Sequence, residues 1–300
     1  REHELKVLRE RVTDVANGVG GFVSLVGEAG LGKSRLVAEL RSRAQHERNG
    51  SAGALTWLEG RALSYAQAVP YFPARAVLLA AIGATDVDPP AAVRERLASA
   101  FAADEGLEPD HEQYLQLLLA VEGASVTTEV ATLDGGVLSH RIAAAYMAYV
   151  TRLARRPTVL VFEDLHWADR ATITLLAQLA ELTLDKPLLI LAVMRPDRAT
   201  HSFRLAQEVQ GRLGDRHVRV DLKPLDEVQV RELLVQLLGG GDLPAGLGRV
   251  AERSDGNPFY LEEVLRSLLD SGHLDLNGGR WEVSGDLTSL DLPETLSGVL

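Results

Sequence analysis

Eight consecutive residues near the start of the chain read Gly27-Glu28-Ala29-Gly30-Leu31-Gly32-Lys33-Ser34. They match the phosphate-binding loop pattern G-x-x-x-x-G-K-S/T at every fixed position. A short apolar run, Phe22-Val23-Ser24-Leu25-Val26, precedes them, and apolar residues recur at helical spacing after Lys33. The pattern therefore predicts a loop that joins a buried strand to a helix, the setting in which this motif binds phosphate.

Glycine residues and a following helix explain why such a loop binds phosphate. Without a Cβ, glycine lets the backbone come close to an anion, and N–H groups at the helix start point at phosphate oxygens. Lys33 is expected to reach the β- and γ-phosphates, and the Ser34 hydroxyl to help hold Mg²⁺. A glycine-rich turn that binds nothing is the alternative interpretation, which the flanking strand and helix disfavour. The residues assigned to the nucleotide are Gly27, Glu28, Ala29, Gly30, Leu31, Gly32, Lys33, Ser34 and Arg35.

Composition excludes several classes of protein. The chain has 300 residues, of which 46% are hydrophobic and 24% charged, which is ordinary for globular proteins. It has no cysteine, which excludes disulfides and thiolate metal sites, and its eight histidines lack zinc-binding spacing. The net charge of −11 argues against direct nucleic-acid contact by this segment. Without a membrane-length apolar run or a secretory signal, no membrane association and a cytoplasmic location are expected.

Four further segments read as strands, and helical patterns separate them. They are 54–58 with an end at 59–61, then 158–162, 188–194 and 217–221. With the strand before the loop, this alternation predicts an α/β fold with a five-stranded, mostly parallel sheet and helices on both faces. Residues 62–136 are predicted as a helical insertion, with helices near 74–82, 91–103 and 111–121 and with aromatic side chains in the core.

The character of the chain changes after Pro224, where only helical patterns continue. They cover 226–238, 244–253 and 258–271, and a hairpin around Trp281 and a new helix near Pro293 follow. We therefore divide the chain into an α/β core at 1–222, a helical segment at 223–272 and a final part at 273–300. Both ends fall inside helical patterns, so we expect a segment of a longer protein.

Charged residues follow two of the predicted strands, at the edge where parallel sheets bind ligands. Glu163 and Asp164 follow the strand at 158–162, and Arg195 follows the strand at 188–194. Because side chains alternate along a strand, the two acids are expected to point to different sides. One can hold Mg²⁺ beside Ser34 and the other can orient an attacking water, while Arg195 offers donors to a γ-phosphate. Solvated loop acids and a surface ion pair of Arg195 are the alternatives.

Neighbouring polar residues receive simpler interpretations. Asp169 is placed to cap the helix predicted at 170–182. His166 and Trp167 are interpreted as packing residues under that cap. The remaining arginines near the edge are interpreted as surface charges; they are Arg61, Arg170 and Arg198.

Three stretches, taken in order, resemble motifs of one known family. They are G-E-A-G-L-G-K-S-R-L at 27–36, V-L-V-F-E-D-L-H-W-A-D at 159–169 and S-D-G-N-P-F-Y-L-E-E-V at 254–264. Together they resemble the STAND ATPases, the signal-transduction ATPases with numerous domains. The similarity is closest to the branch found in large bacterial LuxR-type and antibiotic-regulatory transcription factors and in ATPase-linked adenylate cyclases.

The resemblance implies a P-loop NTPase core, a helical lid at 223–272 and the start of a winged-helix-like domain at 273–300. It implies that Glu163 takes the magnesium-side position, where many members have aspartate, and that Asp164 is the catalytic acid. Arg195 matches the sensor after the fourth strand. Pro258 matches the lid proline that packs on adenine, and Arg1 belongs to the motif that helps to seat adenine.

The function implied by the resemblance is a slow, Mg²⁺-dependent ATPase that acts as a switch in a larger regulatory protein. Its ligands are ATP or ADP with Mg²⁺, its partners are further copies of itself in the ATP state, and its effector domain, for which DNA binding is one option, lies elsewhere in the full-length chain. Two alternatives stay open. One is a clamp-loader or remodelling-type AAA+ ATPase acting in a ring. The other is a P-loop kinase, which the lack of a basic cluster in 62–136 disfavours.

Overall fold

The computed structural model describes residues 1–48, 55–102, 108–120, 133–244, 246–277 and 280–284. The chain divides into two units: Arg1–Val26 with Leu36–Asp221, and Gly27–Arg35 with Leu222–Leu300. The phosphate-loop residues therefore group with the C-terminal helices. The three-part division at 222 and 272 stays a prediction.

A five-stranded parallel sheet forms the centre of the first unit. Its strands are β1 (Gly21–Val26), β2 (Thr56–Arg61), β3 (Thr158–Glu163), β4 (Leu188–Met194) and β5 (His217–Asp221). They lie in the order β2-β3-β4-β1-β5, and all neighbouring pairs are parallel. Every residue of β1 and β4 is buried, as expected for central strands with both faces covered. The predicted α/β fold with a parallel sheet is confirmed.

Helices surround this sheet and leave the carboxyl ends of the strands for loops. They are α1 (Glu2–Ala16), α2 (Lys33–Arg48), α3 (Phe72–Ala81), α4 (Pro90–Ala102), α5 (Pro109–Leu118), α6 (Gly135–Leu153), α7 (Arg170–Leu182) and α8 (His201–Leu213). Helix α1 packs on β1, β3 and β4, α3 packs on β2, and α8 packs on β1 and β5. The helix predicted at 170–182 has those bounds in the structure.

Strand β2 starts later than predicted, at Thr56, and ends at Arg61, within the predicted end at 59–61. Gly60 lies inside this strand. A Cβ at this position would collide with the carbonyl oxygen of Pro73, so glycine is needed for the close packing of α3 against β2. Ala54 lies outside the described residues.

The helices at 72–118 belong to the main core of the first unit. Tyr71, Phe101 and Tyr114 are buried there together with the side chains that cover the sheet, which confirms the predicted core role of these aromatic residues. Two aromatic residues of this region are exceptions: Phe72 is only half-buried, and Tyr65 is 83% exposed in the short 3₁₀ helix Ser64–Ala66. The parts of the predicted insertion at 103–107 and 121–132 lie outside the described residues.

The part of the second unit that the structure describes after Leu222 contains three helices and a hairpin around a small apolar core. They are α9 (Glu227–Leu237), α10 (Leu247–Arg253), α11 (Pro258–Asp270), β6 (Leu274–Asn277) and β7 (Arg280–Val283). The predicted hairpin is confirmed by antiparallel pairing of β6 with β7, whereas the helix predicted near Pro293 lies outside the described residues. Among the helices that the structure describes, none is long and apolar enough to cross a membrane.

Candidate functional site

The loop between β1 and α2 uses backbone geometry that favours glycine. Gly30 and Gly32 have φ angles of 78° and 87°, in the left-handed region. A Cβ at Gly32 would meet no atom of the described residues within 4 Å, so this part of the backbone can be approached. A Cβ at Gly27, by contrast, would lie 3.0 Å from the Cβ of Leu222. The loop is therefore open at Gly32 and packed at its start.

Lys33 begins α2, and its ammonium group turns back onto the loop. Its Nζ donates to the carbonyl oxygens of Gly27 at 2.8 Å and Glu28 at 2.7 Å. The first turn of α2, which is fully described, carries no acidic residue, so nothing there neutralises the positive end of the helix dipole. Ser34 and Arg35 follow with exposed side chains. Such an arrangement suits a polyphosphate.

The start of α11 contacts the same loop within the second unit. Pro258 occupies the first position of this helix, and Asn257 before it is the cap. Asn257 donates from Nδ2 to the carbonyl oxygen of Ala29 at 3.0 Å. The interpretation of the sequence missed Asn257, although asparagine directly before a proline at a helix start is a recognisable capping signal.

A second connection joins the phosphate loop to α11. Arg35, which follows the loop serine, forms an ion pair of 2.7 Å with Glu262. The Arg35 side chain is 71% exposed, so this pair contributes little to stability by itself. It nevertheless aligns the first turn of α2 with the second turn of α11.

The end of β3 departs from what strand alternation predicts. The strand stops at Glu163, and Asp164 adopts a left-handed conformation with φ of 55°. The alternation argument therefore does not extend to Asp164, and the expectation that the two acids point to different sides loses its basis. Both acids are half-buried.

Arg61 holds the predicted catalytic acid. Its Nε donates to Oδ2 of Asp164 at 2.7 Å, and Arg61 is the residue of β2 that pairs with Glu163 of β3. This hydrogen bond is the main cause that raises the pKa of the Arg61 guanidinium. Arg61 is exposed, as expected for a surface charge, but its partner could be recognised only once the neighbouring strand was known.

Arg195 lies against an aromatic ring of the β3 loop. Its guanidinium carbon is 6.0 Å from the centre of the Trp167 ring, at the limit of a cation–π contact. Met194 before it pairs in register with Val26, the last residue before the phosphate loop. Trp167 is therefore not only a packing residue, because it also lies over the predicted sensor.

The remaining predicted residues behave as follows. Asp169 caps α7 by accepting the Thr172 N–H at 3.0 Å, which confirms its predicted role, and it also accepts the Tyr71 N–H at 3.1 Å. Arg1 donates to Glu4 at 3.2 Å, so its role at adenine stays a prediction. In the described part of the chain there is no cluster of three or more His, Asp or Glu side chains able to hold a metal.

The fold and the loop are those of the α/β class of P-loop NTPases. A family profile described as AAA ATPase domain matches residues 1–191. The chain therefore belongs to the AAA ATPase domain family.

Individual relatives are distant. The uncharacterized protein R02095 of Rhizobium meliloti (strain 1021) is 26% identical over 281 residues, which cover 88% of this chain and 24% of that protein. The ORC1 protein of Aeropyrum pernix, solved in complex with DNA, superposes with a TM-score of 0.52 at 14% identity over 95% of this chain and 62% of its own. The chain thus spans under two thirds of either relative, and the likeness to ORC1 concerns the fold alone.

A STAND protein is also among the similar structures. The protein PH0952 of Pyrococcus horikoshii, which carries a tetratricopeptide repeat sensor, superposes with a TM-score of 0.41 at 14% identity. That likeness covers 87% of this chain and 28% of the other.

Proposed function

We propose that the chain is an ATP-binding and slowly hydrolysing switch module of a larger regulatory protein. In this proposal its nucleotide state controls its conformation and its self-association. The observation that carries the proposal is the phosphate loop, in which Gly30 and Gly32 take left-handed angles and Lys33 holds its ammonium group over the loop carbonyls. Membership in the AAA ATPase domain family supports the same conclusion.

The loop residues fit a nucleotide with Mg²⁺. The approachable backbone at Gly32 and the unneutralised start of α2 suit phosphate oxygens, which can replace the two carbonyl oxygens as acceptors for Lys33. Ser34, an exposed residue, supplies its hydroxyl on the metal side in this proposal. Since Mg²⁺ is usually bound by one or two carboxylates, water and substrate phosphates, it needs no dedicated protein cage. Bound magnesium would neutralise charge on the phosphates.

The other site residues are assigned by the same proposal. Glu163 takes the magnesium side, and Asp164 accepts a hydrogen bond from the attacking water and orients it. Arg195 offers its guanidinium donors to the γ-phosphate. Pro258 at the start of α11 packs on adenine, and Arg1 helps to seat the base.

The experiment that tests this function is titration calorimetry of Lys33→Ala with ATP and Mg²⁺. Removing the ammonium group should weaken ATP binding by roughly 10- to 100-fold, the usual value of a hydrogen bond to a charged group. Lys6→Ala, at an exposed position on α1, is the matched control and should bind ATP as the parent does. Equal ATP affinity in the parent and Lys33→Ala would refute the proposal.

Light scattering with ADP and then with a non-hydrolysable ATP analogue addresses the switch itself. A switch is expected to associate only with the analogue, because a two-state equilibrium responds only to differential affinity. A ring ATPase, by contrast, keeps its assembled mass with either nucleotide. The measurement therefore distinguishes a switch from a ring ATPase, two functions that the same fold can have.

A further inference from the structure

The start of α11 is hydrogen-bonded to two carbonyl groups of the phosphate loop, inside the second unit. Asn257 donates from Nδ2 to the carbonyl oxygen of Ala29 at 3.0 Å, and the Phe259 N–H donates to the carbonyl oxygen of Gly30 at 3.3 Å. Asn257 is only 4% exposed, so water competes little for its bonds. Pro258, the residue proposed to contact the base, makes neither of these hydrogen bonds.

The Asn257 side chain performs two tasks with its two ends. Its Oδ1 accepts the N–H groups of Phe259 at 3.1 Å and Tyr260 at 3.4 Å, which caps α11. Its Nδ2 is left to donate to the loop. Aspartate caps a helix equally well but has no donor, and serine carries donor and acceptor on one short hydroxyl. Asparagine is thus the capping residue whose shape suits both tasks.

Contact between the loop and this cap is close. A Cβ at Gly30 would lie 2.5 Å from Oδ1 and 2.9 Å from Nδ2 of Asn257. Glycine at position 30 is therefore required for two reasons: its φ angle is left-handed, and the side-chain amide of Asn257 lies where a Cβ would be. The loop cannot change its shape at Gly30 without moving against Asn257.

The two bonded carbonyls belong to peptide groups whose N–H groups face the opposite way. In a planar trans peptide, the C=O and the following N–H point in opposite directions. A bond to the Ala29 carbonyl therefore fixes the direction of the Gly30 N–H, and a bond to the Gly30 carbonyl fixes that of the Leu31 N–H. A hydrogen bond at the carbonyl also polarises the peptide and strengthens its N–H as a donor. Contacts from α11 and from phosphate thus act on the same two peptide groups.

We propose that Asn257 is a positioning residue that couples phosphate binding at the loop to the order of the α11 start. This inference rests on the proposed function, because it requires a nucleotide at the loop. Phosphate oxygens hold the Gly30 and Leu31 N–H groups in the direction that presents both carbonyls to α11. Because coupling between sites is reciprocal, an ordered α11 in turn holds the loop ready for phosphate. Helix α11 therefore responds to the polyphosphate chain as well as to the base that Pro258 contacts.

Hydrogen–deuterium exchange of peptides spanning 254–270 tests the proposal. The probes are pyrophosphate with Mg²⁺, which lacks a base, and adenosine, which lacks phosphates. In the parent chain, pyrophosphate alone is expected to slow exchange at this segment about fivefold, the effect that the net contribution of one hydrogen bond has. Adenosine measures separately what the base contributes through Pro258. Asn257→Asp and Asn257→Ser keep a helix cap without the donor to Ala29, and both should lose the response to pyrophosphate while still binding ADP.

The matched control is Asp226→Ser at the cap of α9. Asp226 accepts the Gln229 N–H at 2.9 Å in the same kind of cap, so this variant should retain the full response at 254–270. Unchanged exchange at 227–237 in the Asn257 variants shows that the unit is folded. It also excludes general loosening as the cause of a lost response.

The outcomes separate this inference from the proposed function. If calorimetry finds that the parent chain binds neither ADP nor pyrophosphate, both fail. If the parent binds both ligands but pyrophosphate does not slow exchange at 254–270, the inference alone is overturned. It is also overturned if both Asn257 variants respond to pyrophosphate as the parent does.

Discussion

The phosphate loop and the end of β3 both follow a strand of the parallel sheet, but they are held in different ways. The phosphate loop is held through its main chain, since Asn257 donates to one of its carbonyl groups and Lys33 to two others. The end of β3 is held by charge, with the guanidinium of Arg61 on the carboxylate of Asp164. One region is thus held at its backbone carbonyl groups, and the other is held by a pair of ionised side chains.

This difference follows from the atoms that each region offers to a ligand. The loop offers N–H groups, so side chains must be small there and the support must come from the carbonyl side. The end of β3 offers carboxylates, which attract cationic side chains such as that of Arg61. Exposed ion pairs weaken with salt, whereas buried backbone hydrogen bonds do so much less. We therefore expect the loop to be sensitive to changes of shape and the end of β3 to changes of charge.

The largest effect is expected for Asp164→Asn, which changes the charge at the end of β3 and leaves its shape. Hydrolysis should fall about a hundredfold or more, the usual contribution of a group that orients or deprotonates the nucleophile. ATP binding should persist, because the main chain of the phosphate loop is unaltered. A phosphate-release assay together with calorimetry measures both quantities.

Glu163→Gln is the companion variant, because it removes the neighbouring charge. It should chiefly raise the Mg²⁺ concentration needed for ATP binding, by roughly tenfold, as the loss of one charged metal ligand would. If Asp164→Asn and Glu163→Gln both hydrolyse ATP at the parent rate, the carboxylates at the end of β3 do not form the site.

The parts of the fold that are determined by residues close together in the chain could be predicted from the sequence. The strands at 188–194 and 217–221 and the helix at 170–182 have their predicted bounds. A continuous apolar run defines the first strand, an alternation of apolar and polar residues the second, and a capping aspartate the helix. The need for glycine at position 60 could not be predicted, since only the packing of α3 explains it. Exposed Tyr65 was placed in the core, because composition alone does not reveal which face of a short turn is covered.

The supports of the candidate site could not be predicted in this way. Arg61 is 103 residues from Asp164, and Asn257 is 228 residues from Ala29. The first contact requires β2 to lie beside β3, and the strand order of the sheet is not encoded in any local pattern. The second requires α11 to return to the loop. The loop motif was therefore recognisable, but the residues that hold it were not.

Two glycine variants sharpen the comparison by changing shape without charge. Gly32→Ala should lower the free energy of unfolding by about 1–2 kcal/mol, the strain of a left-handed angle in a residue with a Cβ. Gly30→Ala carries the same strain and also pushes its Cβ against Oδ1 of Asn257. It should therefore be the more destabilising variant, and only Gly30→Ala should speed hydrogen exchange at the start of α11. Equal effects in urea unfolding and in exchange would contradict a close contact between loop and cap.

A smaller effect is expected from pH, on the strand that leads into the phosphate loop. Ser24 of β1 donates to Nε2 of His217 at 2.9 Å, and His217 donates from Nδ1 to Gln210 at 2.6 Å. Burial, and secondly the charge of Arg219, lower the pKa of His217 from its ordinary value of 6.5. Below that value the unfolded chain binds the proton more readily than the folded chain, so stability present at higher pH is lost as the pH falls.

Urea unfolding at about pH 7.5 and about pH 5.5 measures this loss. The His217→Gln variant should lose less stability than the parent, by at most about 1.4 kcal/mol per pH unit, the limit for one titrating group. His140→Gln, at an exposed position on α6, is the control and should follow the parent. An identical pH dependence in the parent and His217→Gln would show that the histidine is protonated alike in both states.

The smallest effect, and the most direct test of the comparison, is expected for Arg61→Gln. Arg61 is 61% exposed, so its ion pair with Asp164 is worth only about 0.2–1 kcal/mol, and the free energy of unfolding should change by no more than that.

The guanidinium occupies one carboxylate oxygen and makes the carboxylate a poorer acceptor for water. Its removal should therefore raise the hydrolysis rate, by roughly 1.4- to fivefold, the rate equivalent of the same energy. The difference from the parent should shrink between low salt and about 1 M salt, where screening reaches about 3 Å. Arg170→Gln, an exposed arginine at the start of α7, should change neither quantity. A fall in rate with Arg61→Gln would mean that the guanidinium orients Asp164 for the reaction. An effect that does not depend on salt would mean that packing, and not the attraction between charges, holds the end of β3.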